Sequence, residues 1–457
     1  MNKKMSRYIG EAEFYKKTFR IALPMSLQNL LHSCMGIIDT MMVSWIGMVT
    51  AVGTATQIDT LMNLVGYGIS SGVSMFSAQF FGASKHEQLK RTFGLGLLLS
   101  LCNALFWLAL STFFGREILR FYLNDELILD YSMQYLRISM LAMIPSAINN
   151  VFGSMYRSTH QANFSLVIAI VGAVGNIFFN GIFIFGFAFI PAMGVQGAAL
   201  GTLLAQSVVC LVYLIYSLKT KQCFIGSFKE MFSLDWDFVK PILNKMMPLL
   251  VNETLFGFGS TLFIKAFGEL GTKSMDAYYI ANQIYNCFLF VVYGYGAAIS
   301  ILIGTRLGQG RIEEAKAEID YYIGLSTALS IILVALMIVF SGPMVSLFGQ
   351  SDMETFQLAK SLMAVFAVKV SMRLFNYMIF CILKAGGDAK IIQFLDSGIM
   401  YLVGLPTTFI CVYWLNMKSI VLVLLIAQSE QLVRLCFGMS RLKKGYWAKD
   451  LTKLVKD

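Results

Sequence analysis

Apolar residues occupy most of this chain in long runs that short polar loops separate. Many runs reach about 20 residues, the length that an α-helix needs to cross a hydrocarbon core of about 30 Å. A transmembrane β-barrel would instead alternate apolar and polar residues, a pattern that this sequence lacks. We therefore predict an all-α polytopic membrane protein. The twelve predicted spans cover residues 18–46, 51–80, 93–115, 131–156, 164–188, 195–218, 240–268, 276–304, 319–342, 357–383, 394–414 and 419–439.

The distribution of charge supports a membrane location. Only 14% of the residues are charged, where a soluble protein carries about 25%. The net charge of +10 comes from Lys and Arg at the termini and in alternate loops, which indicates membrane orientation and no nucleic-acid partner. We predict a protein of the cell membrane with both termini cytoplasmic. Eight scattered Cys and three His indicate no disulfide framework, no His-based metal cluster and no cofactor.

The chain repeats itself at a shift of 226 residues, at which Gln57 and Tyr67 correspond to Gln283 and Tyr293. Each half would hold six spans and end on the same side of the bilayer, as parallel repeats do in transporters. The predicted organisation is an N-terminal six-helix bundle at 1–218, a cytoplasmic linker at 219–239, a C-terminal six-helix bundle at 240–440 and a basic cytoplasmic tail at 441–457.

Seven motifs in order along the twelve spans resemble the prokaryotic type of the multidrug and toxic compound extrusion (MATE) family. They read LPMSLQNL, IDTMMVSWIG, AQFFGASKHEQLKRT, MGVQGAALGT, MPLLVNETLFGFGSTLF, GTRLGQGRIEEAK and LKAGGDAK. The resemblance implies two six-helix bundles in a V around a central cavity. It also implies a cation-coupled antiporter that expels drug-like, often cationic and amphipathic compounds by alternating access. We expect a monomer that exchanges a small-molecule substrate for H⁺ or Na⁺.

Asp39 is the one acid inside the first span, and it shares a helical stripe with Gln28, His32 and Gly36. A charged side chain at membrane depth is costly and usually faces a bundle interior or a water-filled cavity. The residues therefore favour a functional carboxylate, and a structural hydrogen bond to a neighbouring helix is the alternative. The resemblance implies that this acid is the site of cation coupling.

The resemblance also places polar partners for that acid on spans 5 and 6. Asn176 and Asn180 lie one turn apart on span 5, and Thr202 and Gln206 lie one turn apart on span 6. Relatives often carry Asp where this chain has Asn180, so this site has one acid. A carboxylate with amide and hydroxyl oxygens can bind Na⁺, and a lone acid can equally bind a proton, so the coupling ion stays open.

Further charged residues lie within the spans of both halves. Asp59 in span 2 is a candidate second proton site or a vestibule residue, and Glu253 in span 7 is the other deep acid. Glu253 is either a coupling acid or an acid neutralised by a nearby cation. As a third possibility, the basic residues of the C-terminal half would bind an anionic or zwitterionic substrate. The remaining candidate cavity residues are Lys265, Asn282, Lys369, Arg373 and Asn376.

Three other functions compete with export. A flippase of a lipid-linked or anionic substrate would use the basic cavity of the C-terminal half. A membrane enzyme needs clustered His, Cys or acidic residues at a membrane face, and the spacing shows none. A channel needs polar rings or a selectivity filter, and the sequence shows neither. We predict a transporter and no enzyme.

Overall fold

A computed structural model describes residues 7–122, 125–346 and 353–454. Residues 1–6 of the predicted N-terminal bundle and residues 455–457 of the predicted tail lie outside this part. The described chain is helical, and its long helices match the predicted spans. They are α1 Ala12–Ser44, α2 Val49–Gly82, α3 His86–Tyr122, α4 Glu126–Ser158, α5 Ala162–Phe185, α6 Val195–Lys219, α7 Trp236–Gly268, α8 Thr272–Gly308, α9 Ile312–Val339, α10 Met353–Ala385, α11 Ala389–Trp414 and α12 Ile420–Lys443.

The all-α class of the prediction is confirmed. Among the described residues, eleven of these helices are long and apolar enough to cross a membrane. The exception is α2, because Gly, Ser, Thr and Gln side chains lower its hydropathy. Several helices extend beyond the predicted apolar spans, since polar residues cap and continue their ends. At the start of α4, for example, the Asp125 carboxylate accepts hydrogen bonds from the backbone N–H groups of Leu127 and Ile128.

The chain forms two compact units. The first unit comprises Leu27–Met246, and the second comprises Met247–Leu454 together with residues 7–26. Each unit has its own hydrophobic core, in which Ile58 and Leu136 are buried in the first and Leu374 and Met378 in the second. The division therefore falls inside α1 and α7, close to a proline in each helix, and the predicted linker 219–239 lies within the first unit.

Local contacts explain why the start of α1 packs in the second unit and the start of α7 packs in the first unit. In the second unit, the Phe14 ring on α1 packs edge-on against Tyr322 on α9, with 4.9 Å between ring centroids. In the first unit, Arg91 on α3 bonds the Asp235 carboxylate at 2.5 Å, and its guanidinium covers the ring of Phe238 at the start of α7. Two hydrogen bonds lower the pKa of Asp235, one from the backbone N–H of Phe238 and one from the guanidinium of Arg91. They keep this carboxylate ionised.

Helix α11 departs from α-helical geometry along much of its length. It contains three π-helical segments, Phe394–Gly398, Met400–Gly404 and Ile410–Trp414. Such segments change the rotation of side chains about the helix and are frequent at functional sites. The first of them carries Asp396, an acid that lies buried inside the second unit.

Candidate functional sites in the two units

A cavity of about 400 Å³ lies within the first unit. Its wall comes from α1, α2, α4, α5 and α6, and it includes most of the residues predicted for the first half. The predicted residues that line it are Gln28, His32, Asp39, Asn176, Thr202 and Gln206. The helical stripe read from the first span therefore faces a real cavity.

Asp39 stands at the head of a chain of hydrogen bonds across three helices. Asn180 on α5 donates from its amide to Asp39 Oδ1 at 2.9 Å and to Asn176 Oδ1 at 3.1 Å. Asn176 donates to the Thr202 hydroxyl on α6 at 3.3 Å, and Thr202 donates to the carbonyl of Ala198 at 3.1 Å. The four residues predicted for cation coupling thus form one connected group.

Gly201 on α6 provides the space in which Asn180 reaches Asp39. A Cβ atom at Gly201 would lie 2.1 Å from Asn180 Oδ1, well inside van der Waals contact. Gly197, one turn earlier, lies equally close to the backbone of α5, where a Cβ atom would stand 2.2 Å from the carbonyl oxygen of Phe183. The small residues of the motif MGVQGAALGT therefore let α5 and α6 pack closely at the site.

One cation lies in the same cavity wall as Asp39. Arg157 near the end of α4 lines the cavity, and its Nη1 folds back over Gly153, 2.9 Å from the position of a Cβ atom there. Neither Arg157 nor Asp39 forms an ion pair with another described residue. The side chain of this arginine is therefore directed into the cavity wall.

A second cavity, of about 280 Å³, lies within the second unit. Six aromatic side chains contribute to its wall, among them Phe267, Tyr278 and Tyr285. Three predicted residues also line it, namely Asn282, Lys369 and Arg373. This wall is both aromatic and basic, unlike the amide-rich wall of the first cavity.

The second cavity is bordered by a buried ionic group. Arg434 Nη1 lies 3.2 Å from Asp396 Oδ1, and Arg373 Nη1 lies 3.5 Å from the same oxygen. Arg434 Nη2 also lies 3.5 Å from Glu430 Oε2, one turn away on α12. Asn252 on α7 donates to the other oxygen of Asp396 at 3.2 Å. These long contacts join α7, α10, α11 and α12.

Lys369 lies one turn from Arg373 on α10 and stands over aromatic rings. Its Nζ is 5.0 Å from the ring centroid of Tyr285 and 5.2 Å from that of Phe366, and these two rings stack on one another. This is the geometry of a cation–π contact. Lys369 forms no ion pair or hydrogen bond with any residue in the described ranges.

Four predicted cavity residues do not line either cavity. Asp59 stands one turn before the cavity residue Asn63, and Glu253 stands one turn before the cavity residue Phe256. Lys265 is exposed, because it points away from the stripe of α7 that faces the cavity. Asn376 is fully buried and donates to the backbone and side-chain oxygens of Gln431 at 3.0 and 2.9 Å.

The predicted neutralisation of Glu253 by a nearby cation is not seen. Arg373 pairs with Asp396, and Glu253 forms no ion pair within the described chain. The sequence analysis missed three members of the ionic group, Asp396, Glu430 and Arg434. A signal was present for two of them, since Glu430 and Arg434 are an acid and a base four residues apart inside an apolar span.

Comparison with known proteins agrees with this architecture. The MatE family model matches the chain twice, at residues 24–182 and 248–410. The probable multidrug resistance protein YoeA of Bacillus subtilis is 26% identical over 81% of this chain and 78% of its own length. The multidrug resistance protein MdtK of Yersinia enterocolitica is 23% identical over 89% of each chain.

A solved structure has the same fold. A mutant of the Vibrio cholerae MATE transporter VcmN superposes with a TM-score of 0.86, over 95% of this chain and 98% of that one, at 15% identity. The two family matches coincide with the two halves of the internal repeat read from the sequence. The resemblance stated from the seven motifs is thereby confirmed.

Proposed function

This chain belongs to the MatE family, and from that premise we propose that it is a secondary exporter of drug-like organic compounds. It would exchange them for H⁺ or Na⁺ by alternating access in the cell membrane. The names of its relatives YoeA and MdtK support drug export. The single observation that carries the proposal is Asp39, an acid inside a membrane helix that faces a cavity and lacks a cationic partner among the described residues.

The chemistry of coupling follows from the cost of that charge. An unpaired carboxylate at membrane depth costs a few kcal/mol or more. Binding a proton or Na⁺ removes the charge, and the hydrogen bond from Asn180 stabilises it when the cation has left. The charged and neutralised states would therefore favour different arrangements of α1, α5 and α6, and the cation gradient would bias the exchange.

The orientation of the chain is part of the proposal. Lys and Arg residues concentrate at the termini and in alternate loops, which the positive-inside rule assigns to the cytoplasm. Both termini would then be cytoplasmic, as an even number of spans requires. Proteins of this orientation can be tested in inside-out vesicles, where export becomes uptake.

The direct test is uptake of ethidium and of norfloxacin into inside-out vesicles, under a pH gradient or a Na⁺ gradient applied separately. Wild-type protein should respond to one gradient, which identifies the ion, and Asp39→Asn should lose that response. The matched control is Asp276→Asn, because Asp276 is an exposed acid outside both cavities. If neither compound moves under either gradient, or if Asp39→Asn behaves as wild type, the proposal fails.

The alternative of a flippase for a lipid-linked substrate is disfavoured by size. Its predicted site, the basic cavity of the second unit, has a volume of about 280 Å³. Ligand pockets for drug-sized molecules span about 300–1,000 Å³. At just below that range, the cavity matches a small molecule better than a lipid-linked oligosaccharide.

A further inference from the structure

The charges around the second cavity do not balance. Lys369, Arg373 and Arg434 contribute three positive charges, and Asp396 and Glu430 contribute two negative charges. These five residues together carry one excess positive charge. Glu253 does not line this cavity and forms no ion pair with these residues.

The excess charge belongs to Lys369. Arg373 and Arg434 share the carboxylate of Asp396, and Arg434 also contacts Glu430. Lys369 lines the cavity with its Nζ over the rings of Tyr285 and Phe366, and it forms no ion pair with a described residue. Lys369 is half-buried, and a cation in that position without an ion-pair partner loses part of its hydration, so an anion entering the cavity would restore the missing interaction.

Arg434 supplies a second, independent indication. It is 1% exposed and lines the cavity, yet its Nε, Nη1 and Nη2 atoms lack a hydrogen-bond partner among the described residues. The carboxylate oxygens of Asp396 and Glu430 stand at 3.2 and 3.5 Å but outside hydrogen-bonding geometry. Buried N–H groups without partners are rare in folded proteins and are expected where a ligand completes the site.

We propose that the cavity of the second unit binds a small aromatic carboxylate, whose charge Lys369 neutralises and whose ring packs on the aromatic wall. One excess positive charge favours a monoanion over a dianion. Phe267, Tyr278 and Tyr285 offer flat apolar surfaces to a ring, and Asn282 offers an amide for orientation. The inference names a substrate class for the proposed exporter and rests on that function, but the binding itself requires no gradient.

The test is calorimetric titration of the full chain in phosphatidylcholine nanodiscs with 2-naphthoate and with its neutral counterpart 2-naphthamide. Wild-type protein should bind 2-naphthoate at least tenfold more tightly. Lys369→Gln should remove this preference, and Lys369→Arg should keep most of it. Lys360→Gln, the same substitution at an exposed site of the same helix, should bind as wild type does.

Several results would overturn the inference. The inference fails if wild-type protein binds the two ligands with equal affinity, or if it does not bind 2-naphthoate detectably. It also fails if Lys369→Gln keeps the preference for 2-naphthoate. Because Asp39→Asn should bind 2-naphthoate normally, a failure of gradient-driven transport in that variant is distinguishable from a failure of anion binding.

A lipid phosphate has the same charge as a carboxylate, so the anion in the site could come from a lipid headgroup or from a soluble acid. Changing the lipid of the nanodisc distinguishes these two sources. If a soluble acid is the ligand, the affinity for 2-naphthoate is unchanged in phosphatidylglycerol nanodiscs. A tenfold loss of affinity there, seen in wild-type protein and absent from Lys369→Gln, would assign the site to a lipid headgroup and overturn the aromatic carboxylate.

Discussion

In the first unit, the amide of Asn149 donates to both the backbone oxygen and the side-chain oxygen of Gln206, at 2.9 Å each. In the second unit, Asn376 makes the same pair of bonds to Gln431, at 3.0 and 2.9 Å. The asparagines lie 227 residues apart in the chain and the glutamines 225, which is the internal repeat. The two units thus share a hydrogen-bonded clamp between corresponding helices.

Around this shared clamp the two units differ in charge. The first cavity has one carboxylate, Asp39, supported by neutral amides and a hydroxyl, and one arginine, Arg157, in the same wall. The second cavity is bordered by an ionic group with an excess of positive charge. The same helical scaffold therefore offers one site suited to a small cation and another suited to an organic anion, and the difference lies in a few side chains.

The largest expected effect comes from breaking the ionic group. Asp396→Ala would leave Arg373 and Arg434 without their shared carboxylate, and removal of one partner from a buried ion pair costs about 3–5 kcal/mol. Denaturant unfolding in detergent measures the loss. The comparison variant is Glu126→Gln, whose pairs with Arg116 and Arg120 are exposed and screened by water, so its loss should be much smaller. Equal losses in the two variants would contradict the account.

The shared clamp gives the second prediction. Asn149→Ala and Asn376→Ala each remove two hydrogen bonds and leave acceptors without their donor on half-buried Gln206 and buried Gln431, which costs about 1–3 kcal/mol. Unfolding of the two variants under the same conditions should show losses of similar size. A loss confined to one variant would mean that the clamp is not equivalent in the two units.

The third prediction concerns a substitution that perturbs the first site without changing a polar residue. Gly201→Ala places a methyl group against Asn180 and should displace its amide from Asp39. A hydrogen bond to a charged group contributes about 1.5–3 kcal/mol, so gradient-driven uptake should fall roughly tenfold or more. Gly181→Ala is the matched control, because a Cβ atom there meets nothing within 4 Å. Wild-type uptake by Gly201→Ala would contradict the geometry of the site.

The smallest effect is expected outside both cavities. The folded state lowers the pKa of Asp235, so this group stabilises the fold above its unfolded pKa of about 3.9 and loses that contribution as the pH falls. Asp235→Asn should lower the melting temperature slightly at pH 7 and less near pH 3. Because Asp235 is largely exposed, the change should be small at every pH. A larger fall in melting temperature at pH 3 than at pH 7 would contradict this prediction.

Much of the fold could be predicted from local sequence. Long apolar runs predicted the spans because helix length follows directly from bilayer thickness. The first site was also predictable, since Asn176 and Asn180 share one face of a helix, and a lone acid such as Asp39 in an apolar span must face a polar environment. Its exact hydrogen bonds depend on the closeness of α5 and α6, which Gly201 indicates only once the packing is known.

The second site could not be predicted in the same way. Asp396 pairs with residues 23 and 38 positions away in the chain, and no local spacing encodes such contacts. The π-helical segments of α11 also change which side chains face inward, so a regular helical pattern misplaces them. The sequence therefore identified Lys369 and Arg373 as candidates and gave an ion pair of Glu253 with a nearby cation as one of three alternatives, but it did not identify Asp396 as the partner of Arg373.

The central claim is that Asp39 couples cation movement to export. The most direct measurement follows H⁺ and Na⁺ with trapped indicator dyes in proteoliposomes when substrate is added, for wild-type protein and for Asp39→Asn. The account predicts that wild-type protein moves one of the two ions only with substrate. Asp39→Asn should move neither ion while still exchanging substrate for substrate. Ion movement by Asp39→Asn at the wild-type rate would contradict the account.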